Sequence, residues 1–183
     1  MAVIVTVALA MATGSGVAAT QATSTKPAKW AHTVCVGLQS FAKAVEHTSS
    51  GVSKAIASQP DPTPAREEIL ALLDVAKMKT ATLQKELRKI GDPAVSNGAG
   101  IGRTVRGLFV KVVGALSAAR KTFSRIPTTD SKVFVKKADT ALNKLGGRLD
   151  RIVASLSASA ATSSAQLFRA FSHDSACLKL ALS

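Results

Sequence analysis

Apolar residues recur at steps of three and four along most of the chain, which is the spacing that places them on one face of an α-helix. The first run is Trp30, Val34, Leu38, Phe41 and Val45. The second, which has Thr80 as its one polar member, is Ile69, Leu73, Ala76, Thr80, Leu83, Leu87 and Ile90. The third is Ile101, Val105, Leu108, Val112, Ala115, Ala119, Phe123 and Ile126. The fourth is Val135, Ala138, Leu142, Leu145, Leu149, Ile152 and Leu156. The pattern predicts four helices, three of them with a heptad-like apolar seam.

Prolines and glycines separate these runs. The proline-rich segment 59–64 ends the first helix, Gly91 with Pro93 ends the second, and Pro127 ends the third. Thr63 before Pro64 is typical of an N-cap followed by a first helical residue. Either Thr129 or Asp130 is suited to cap the fourth helix. A glycine-rich loop over 96–100 precedes the third helix.

The end of the fourth helix is less sharply marked. A continuous helix over 131–182 would be about 78 Å long, against roughly 40 Å for each of the other three. Length matching favours a break near Ser157–Ser164, followed by a short fifth helix. That helix would carry Leu167, Phe168, Phe171 and Leu178. One uninterrupted helix is the alternative.

Short connections between helices of similar length predict an all-α, antiparallel up-down bundle of four main helices with a short C-terminal helix. We expect the bundle to form one domain over residues 28–183. The competing interpretation is a set of long helices that fold only as an oligomer, because such regular seams also suit coiled coils.

The first residues have the composition of a signal peptide. Residues 2–12 form an uncharged apolar run that is too short to span a bilayer, and small residues at 17 and 19 suit cleavage after Ala19. We expect 1–19 to be a signal peptide and 20–27 a flexible mature N-terminus. Cleavage after Ala22 and a retained anchor are the alternatives. One feature departs from the pattern, since no Lys or Arg precedes the apolar run.

The 183-residue chain is strongly basic, with 24 Lys and Arg against 11 Asp and Glu and a formal charge of +13. Such an excess favours anionic partners, although it also suits a merely soluble, self-repelling surface. Since export is expected, an anionic envelope polymer or a membrane surface is the predicted partner. Nucleic acid is disfavoured because only 4% of residues are aromatic and no binding motif accompanies the charges.

Part of the positive charge is patterned. Lys137, Lys144, Arg148 and Arg151 fall within about 60° of one another on a helical wheel, away from the predicted seam. We call these four residues the basic stripe. The third helix carries a looser outward group, comprising Arg103, Arg106, Lys121 and Arg125. On neighbouring antiparallel helices the two sets could merge into one anion-binding surface, and a solvated face is the alternative.

The two cysteines lie near opposite ends of the chain. An up-down bundle returns to the end where it began, so Cys35 and Cys177 are expected to pair as a structural disulfide. His32 and His173 each precede a cysteine by about one turn, which leaves a Cys₂His₂ zinc site as a weaker alternative. The prediction is that no metal or cofactor is bound.

Catalytic signatures are sparse, and we predict a protein that is not an enzyme. His173, Asp174 and Ser175 are triad residue types, but adjacent helical residues point in different directions. The Gly98-x-Gly100-x-Gly102 sequence lacks the preceding strand and the Gly-Lys-Ser/Thr ending of a phosphate-binding loop.

The mature chain resembles small secreted helical proteins of unknown function that are common in actinobacteria. The resemblance rests on Lys29-Trp30-x-x-x-Val34-Cys35, on Ala-rich helices carrying Lys, and on Phe171-x-x-x-Ser175-Ala176-Cys177-x-x-Leu180. It implies a helical bundle with a terminal disulfide in the envelope or outside the cell, and it brings no known activity or functional residues with it. We therefore expect a non-enzymatic envelope-associated protein. A carrier or lipid-associated bundle with an apolar ligand inside is the alternative.

Overall fold

The computed structural model describes residues 24–58, 61–160 and 164–181, with side chains omitted at 45–46, 48–58, 153–160 and 180–181. The predicted signal peptide therefore lies outside the described residues. The main helices are α1 (Pro27–Ser58), α2 (Thr63–Ile90), α3 (Gly98–Phe123) and α4 (Ser131–Ala160). Two short helices follow, α5 (Ala165–His173) and α6 (Ser175–Ala181). Two-residue strands, β1 (Ser24–Thr25) and β2 (Asp92–Pro93), complete the described elements.

The predicted all-α, up-down bundle is confirmed. Each of the first three helices packs on the next one along the chain, and α5 and α6 return to pack on α1. The single predicted C-terminal helix is instead two helices. Ser164 is extended and its side chain accepts a hydrogen bond from the Leu167 N–H, so α5 begins with its own cap rather than continuing α4.

Local chemistry explains most helix ends. Gly91 ends α2 with a φ of 77°, which a residue without Cβ adopts at little cost. Asp130 caps α4 by accepting a hydrogen bond from the Val133 N–H at 3.0 Å. At α2 the predicted cap is wrong by one position. Thr63 is already helical, and its N–H donates to Asp61 at 2.9 Å.

Buried side chains form two core clusters. The first joins the early part of α1, the end of α2, the start of α3 and α5, and its members are Trp30, Val34, Leu83, Leu87, Val105 and Leu167. The second joins the start of α2, the end of α3 and the start of α4. It is built from Ala65, Ile69, Leu73, Ala76, Leu116, Ala119, Phe123, Ile126, Phe134, Ala138 and Ala141. The predicted seams of α2 and α3 supply three of the six members of the first cluster and six of the eleven members of the second.

The predicted seam of α4 is correct in part, but the buried face is rotated from it. Val135 and Leu142, which were placed in the seam, are 51% and 43% exposed. Phe134 and Ala141 are buried instead, whereas Ala138 is buried as predicted and Leu145 packs against the same cluster. On a wheel of 100° per residue, the observed buried face is rotated by about 40° from the predicted one. This rotation decides where the charged residues of α4 lie.

The strand pair ties the start of the described chain to the α2–α3 connection. Ser24 and Thr25, within the segment predicted to be flexible, pair in parallel with Asp92 and Pro93. The Ala94 N–H donates to the Thr25 carbonyl oxygen at 2.8 Å, and the Thr25 hydroxyl donates to the carbonyl oxygen of Ile90. Among the described residues, no helix is both long and apolar enough to cross a bilayer.

Candidate anion-binding groove

The basic stripe lies on the surface of α4, as predicted. Lys137, Lys144, Arg148 and Arg151 are all exposed. The rotation of the buried face brings this stripe closer to the helix contact than the sequence indicated. Its centre lies about 80° from the observed buried face, whereas the predicted seam was about 120° away. The stripe therefore borders the junction between α4 and α3 instead of facing away from it.

A surface groove follows that junction. It has a volume of about 370 Å³ and is lined by Lys111 and Ala115 from α3 and by Arg148, Arg151 and Ile152 from α4. Cations thus come from both helices, and two aliphatic side chains contribute apolar surface between them. No carboxylate is among the lining residues. We call this feature the basic groove.

The acidic residues of α4 are separated from the groove. Asp139 and Asp150 are centred about 140° away from the basic stripe on the helical wheel. Asp139 contacts the amide of Asn143 at 3.2 Å and lies beside Lys132 and Lys136 on another part of the helix. Those two lysines share their surface with a carboxylate. The groove cations do not, which leaves their positive charge available to a ligand.

The basic residues of α3 do not act as one group. Arg103, Lys121 and Arg125 are exposed, but Arg106 is half-buried and its Nη1 lies 2.7 Å from Asp92 Oδ1. Arg106 therefore has a structural partner and holds β2 against α3. Arg120 is paired in the same way, with its Nε 2.7 Å from Asp74 Oδ1 on α2.

Lys111 is the groove residue that sequence reasoning missed. It stands four residues before Ala115, so on the wheel of α3 it lies about 40° from that seam residue and closer to the seam than Lys121. The wheel places it at the border of the predicted contact face, but only the neighbouring helix shows which residues it meets. A pairing of α3 with antiparallel α4, aligned from Phe123 and Phe134, would have placed Lys111 opposite Gly146, two residues before Arg148.

The predicted disulfide is confirmed. Cys35 and Cys177 are bonded, with their Cα atoms 5.0 Å apart and 142 positions between them in the chain. Sγ atoms of both lie within 4.8 Å of a carboxylate oxygen of Asp174. Because the sulfurs are bonded to each other, they offer no thiolate to zinc in this state. The nearby imidazole is His32, whose Nδ1 is 3.0 Å from Asp174 Oδ2.

Asp174 connects the two ends of the fold. Its Oδ1 accepts hydrogen bonds from the N–H groups of Ala176 and Cys177, at 2.9 and 3.2 Å, while Oδ2 meets His32. Burial raises the pKa of Asp174, but the hydrogen bonds from His32 and from the two backbone N–H groups outweigh it and lower the pKa overall. The carboxylate is thus occupied by His32 and the α6 backbone, and not by His173 or Ser175.

Gly98 and Gly102, in the first turns of α3, serve packing. A Cβ at Gly98 would collide with the carbonyl oxygen of Pro93, and one at Gly102 would collide with the carboxylate of Asp92. Asn97, immediately before the helix, has a left-handed φ of 58°. These residues let β2 approach the start of α3 closely, which accounts for the glycine spacing without a nucleotide.

Comparison of the chain with known protein families, with characterised proteins and with solved structures finds no match. The features of the molecule that bear on its function are therefore the basic groove and the disulfide-linked ends.

Proposed function

We propose that this chain is an exported, non-enzymatic helical protein that associates with an anionic component of the cell envelope through the basic stripe and groove. The observation that carries the proposal is the groove itself, where cations from α3 and α4 meet without an acidic neighbour in its lining. A disulfide between the ends of the fold is compatible with an extracytoplasmic location, and the apolar N-terminus suits export.

The summed attraction of these cations to an anionic surface is sufficient for association. Each exposed cation near an anionic surface contributes about 1 kcal/mol, so several acting together hold a protein that none would hold alone. The attraction is long-ranged at low salt and weakens as the Debye length shortens from about 10 Å at 0.1 M to about 3 Å at 1 M. Binding to the envelope is therefore expected to weaken as the salt concentration rises.

The test is replacement of Lys137, Lys144, Arg148 and Arg151 together by Glu. The matched control replaces four exposed cations of α2 by Glu, namely Lys77, Lys85, Arg88 and Lys89. Both variants carry a formal charge of +5, because four charge reversals remove eight from +13. Circular dichroism and melting would establish that both remain folded.

We expect the stripe variant to lose sedimentation with isolated envelopes at low salt, while the α2 variant retains most of it. Parent binding should fall steeply between 0.1 and 1 M salt. If both variants lose binding equally, net charge alone is responsible and the stripe has no special role. Binding by the stripe variant equal to that of the parent would refute the proposal.

A further inference from the structure

The geometry points to a discrete site for a phosphoryl group in the basic groove, held by Arg148 and Arg151 of α4 and by Lys111 of α3. This inference rests on the proposed function, since it names the anionic group that the basic face recognises. It goes further in predicting stoichiometric, chemically selective binding, which a diffuse positive surface would not give.

The arrangement of donors supports a compact oxyanion. Arg148 and Arg151 are three residues apart on α4, so they are neighbours on one face, about 5–6 Å apart at Cβ. Lys111 lies across the groove on α3. A ligand between the helices is thus approached by guanidinium groups from one wall and an ammonium group from the other. A patch on one exposed helix places its donors on one side of a ligand only and offers no such convergence.

The surroundings strengthen the attraction. Ala115 and Ile152 contribute aliphatic surface to the groove, and a charge pair beside such low-dielectric surface is stronger than one surrounded by water on all sides. Within the described part of the chain, no ion pair engages Lys111, Arg148 or Arg151. By contrast, Arg106 and Arg120 are neutralised by aspartates. Binding at the groove requires no internal salt bridge to be broken first.

The residue types favour phosphoryl over carboxylate. A guanidinium is a planar fork that makes paired hydrogen bonds to phosphate oxygens, and two such forks with a lysine supply more donors than one carboxylate can accept. The groove volume of about 370 Å³ is at the lower end of the range for small-molecule sites. It has room for a phosphoryl group with part of the larger molecule that bears it.

The first test measures binding of inorganic phosphate to the disulfide-bonded chain by titration followed with ¹⁵N NMR, including the arginine Nε–H signals. Sulfate and acetate serve as comparison anions. The key variant is Arg148→Lys with Arg151→Lys, which keeps both positive charges and removes both guanidinium groups. The matched control is Lys132→Gln with Lys136→Gln, which removes two exposed charges from α4 outside both the stripe and the groove.

We expect the lysine variant to bind phosphate at least tenfold more weakly, and the glutamine control to change affinity by less than threefold. Saturable shifts should concentrate on the groove, and acetate should bind more weakly than phosphate. Equal phosphate affinity in the parent and the lysine variant would overturn the site. Equal affinity for acetate and phosphate would also overturn the site, because the paired guanidinium hydrogen bonds would then give no selectivity for phosphate.

Two further probes identify the source of the phosphoryl group. One is a phosphatidylglycerol vesicle in a phosphatidylcholine background, and the other is soluble polyphosphate. Loss of vesicle binding in the lysine variant assigns the site to a lipid headgroup, whereas loss of polyphosphate binding assigns it to a phosphate polymer. Binding of neither probe by the parent would contradict the inference.

The two proposals fail in distinguishable ways. If the four-residue Glu variant loses envelope binding while the lysine variant binds phosphate as the parent does, the basic face functions without a phosphoryl site. If the lysine variant loses phosphate while the Glu variant still binds envelopes, the site exists and envelope association has another cause.

Discussion

At the scale of single residues, Asp174 links α1 to α6, a long-range role that the sequence around it does not indicate. Its two oxygens cap α6 and meet His32 on α1, immediately beside the disulfide. A carboxylate with a lowered pKa stabilises the folded state above the ordinary pKa of 3.8, and this contribution is lost as pH falls through the folded value.

We therefore predict that Asp174→Ala lowers the free energy of unfolding by about 1 kcal/mol at neutral pH, as expected for a lost N-cap. The difference between parent and variant should shrink as pH falls below about 4, because the parent then also loses its charged carboxylate. Urea unfolding at several pH values measures this. Asp150→Ala, at an exposed position, is the control, and a difference that persists unchanged at pH 2 would contradict the account.

At the scale of the elements, α4 illustrates how a seam is chosen among several apolar positions. Val133, Phe134 and Val135 are consecutive, and heptad spacing alone allowed Val135 to begin the seam. The structure buries the largest of the three, Phe134, at 1% exposure. Burial of the phenyl ring removes more apolar surface from water than burial of a valine, and this difference sets the rotation of α4.

This gives a prediction that separates the two registers. Phe134→Ala should destabilise the protein by about 3–5 kcal/mol, the usual cost of removing a buried aromatic ring. Val135→Ala should change stability by no more than about 0.5 kcal/mol, as for an exposed position. Chemical denaturation of both variants measures the contrast. Comparable losses would mean that the seam predicted from the heptad pattern is the true one.

At the scale of the whole molecule, the disulfide joins the beginning and the end of the fold. It cross-links α1 to α6 across 142 positions, whereas α5 and α6 are otherwise attached through contacts with α1, including an edge-on stacking of Trp30 and Phe171 at 6.1 Å. A long closed loop restricts the unfolded chain far more than it restricts the folded one.

We predict that replacing both cysteines by Ala lowers the free energy of unfolding by up to about 5 kcal/mol, the chain-entropy value for a loop of this length. The fold should persist at low temperature, because the two core clusters do not depend on the sulfur bond. Thermal melting of the parent with and without a reductant, beside the double variant, measures this. Identical melting of all three would show that the cross-link contributes no stability.

The sequence by itself determined the elements and their order. Helical spacing, prolines and capping residues are local properties, so the four long helices and the stops at Gly91 and before Asp130 could be predicted without a partner element. Pairing of Cys35 with Cys177 also followed, because an up-down chain brings its ends together. The exposed stripe on α4 was predictable for the same reason, since its residues share one helix.

Tertiary structure decided the features that depend on contact between two elements. The rotation of α4 followed from competition between Phe134 and Val135 for burial against α2 and α3, and no single-helix pattern contains that comparison. The basic groove depends in turn on that rotation, because Lys111 joins Arg148 and Arg151 only when α3 and α4 meet in this register. Periodicity describes which face a residue occupies, but only packing specifies which neighbour that face receives.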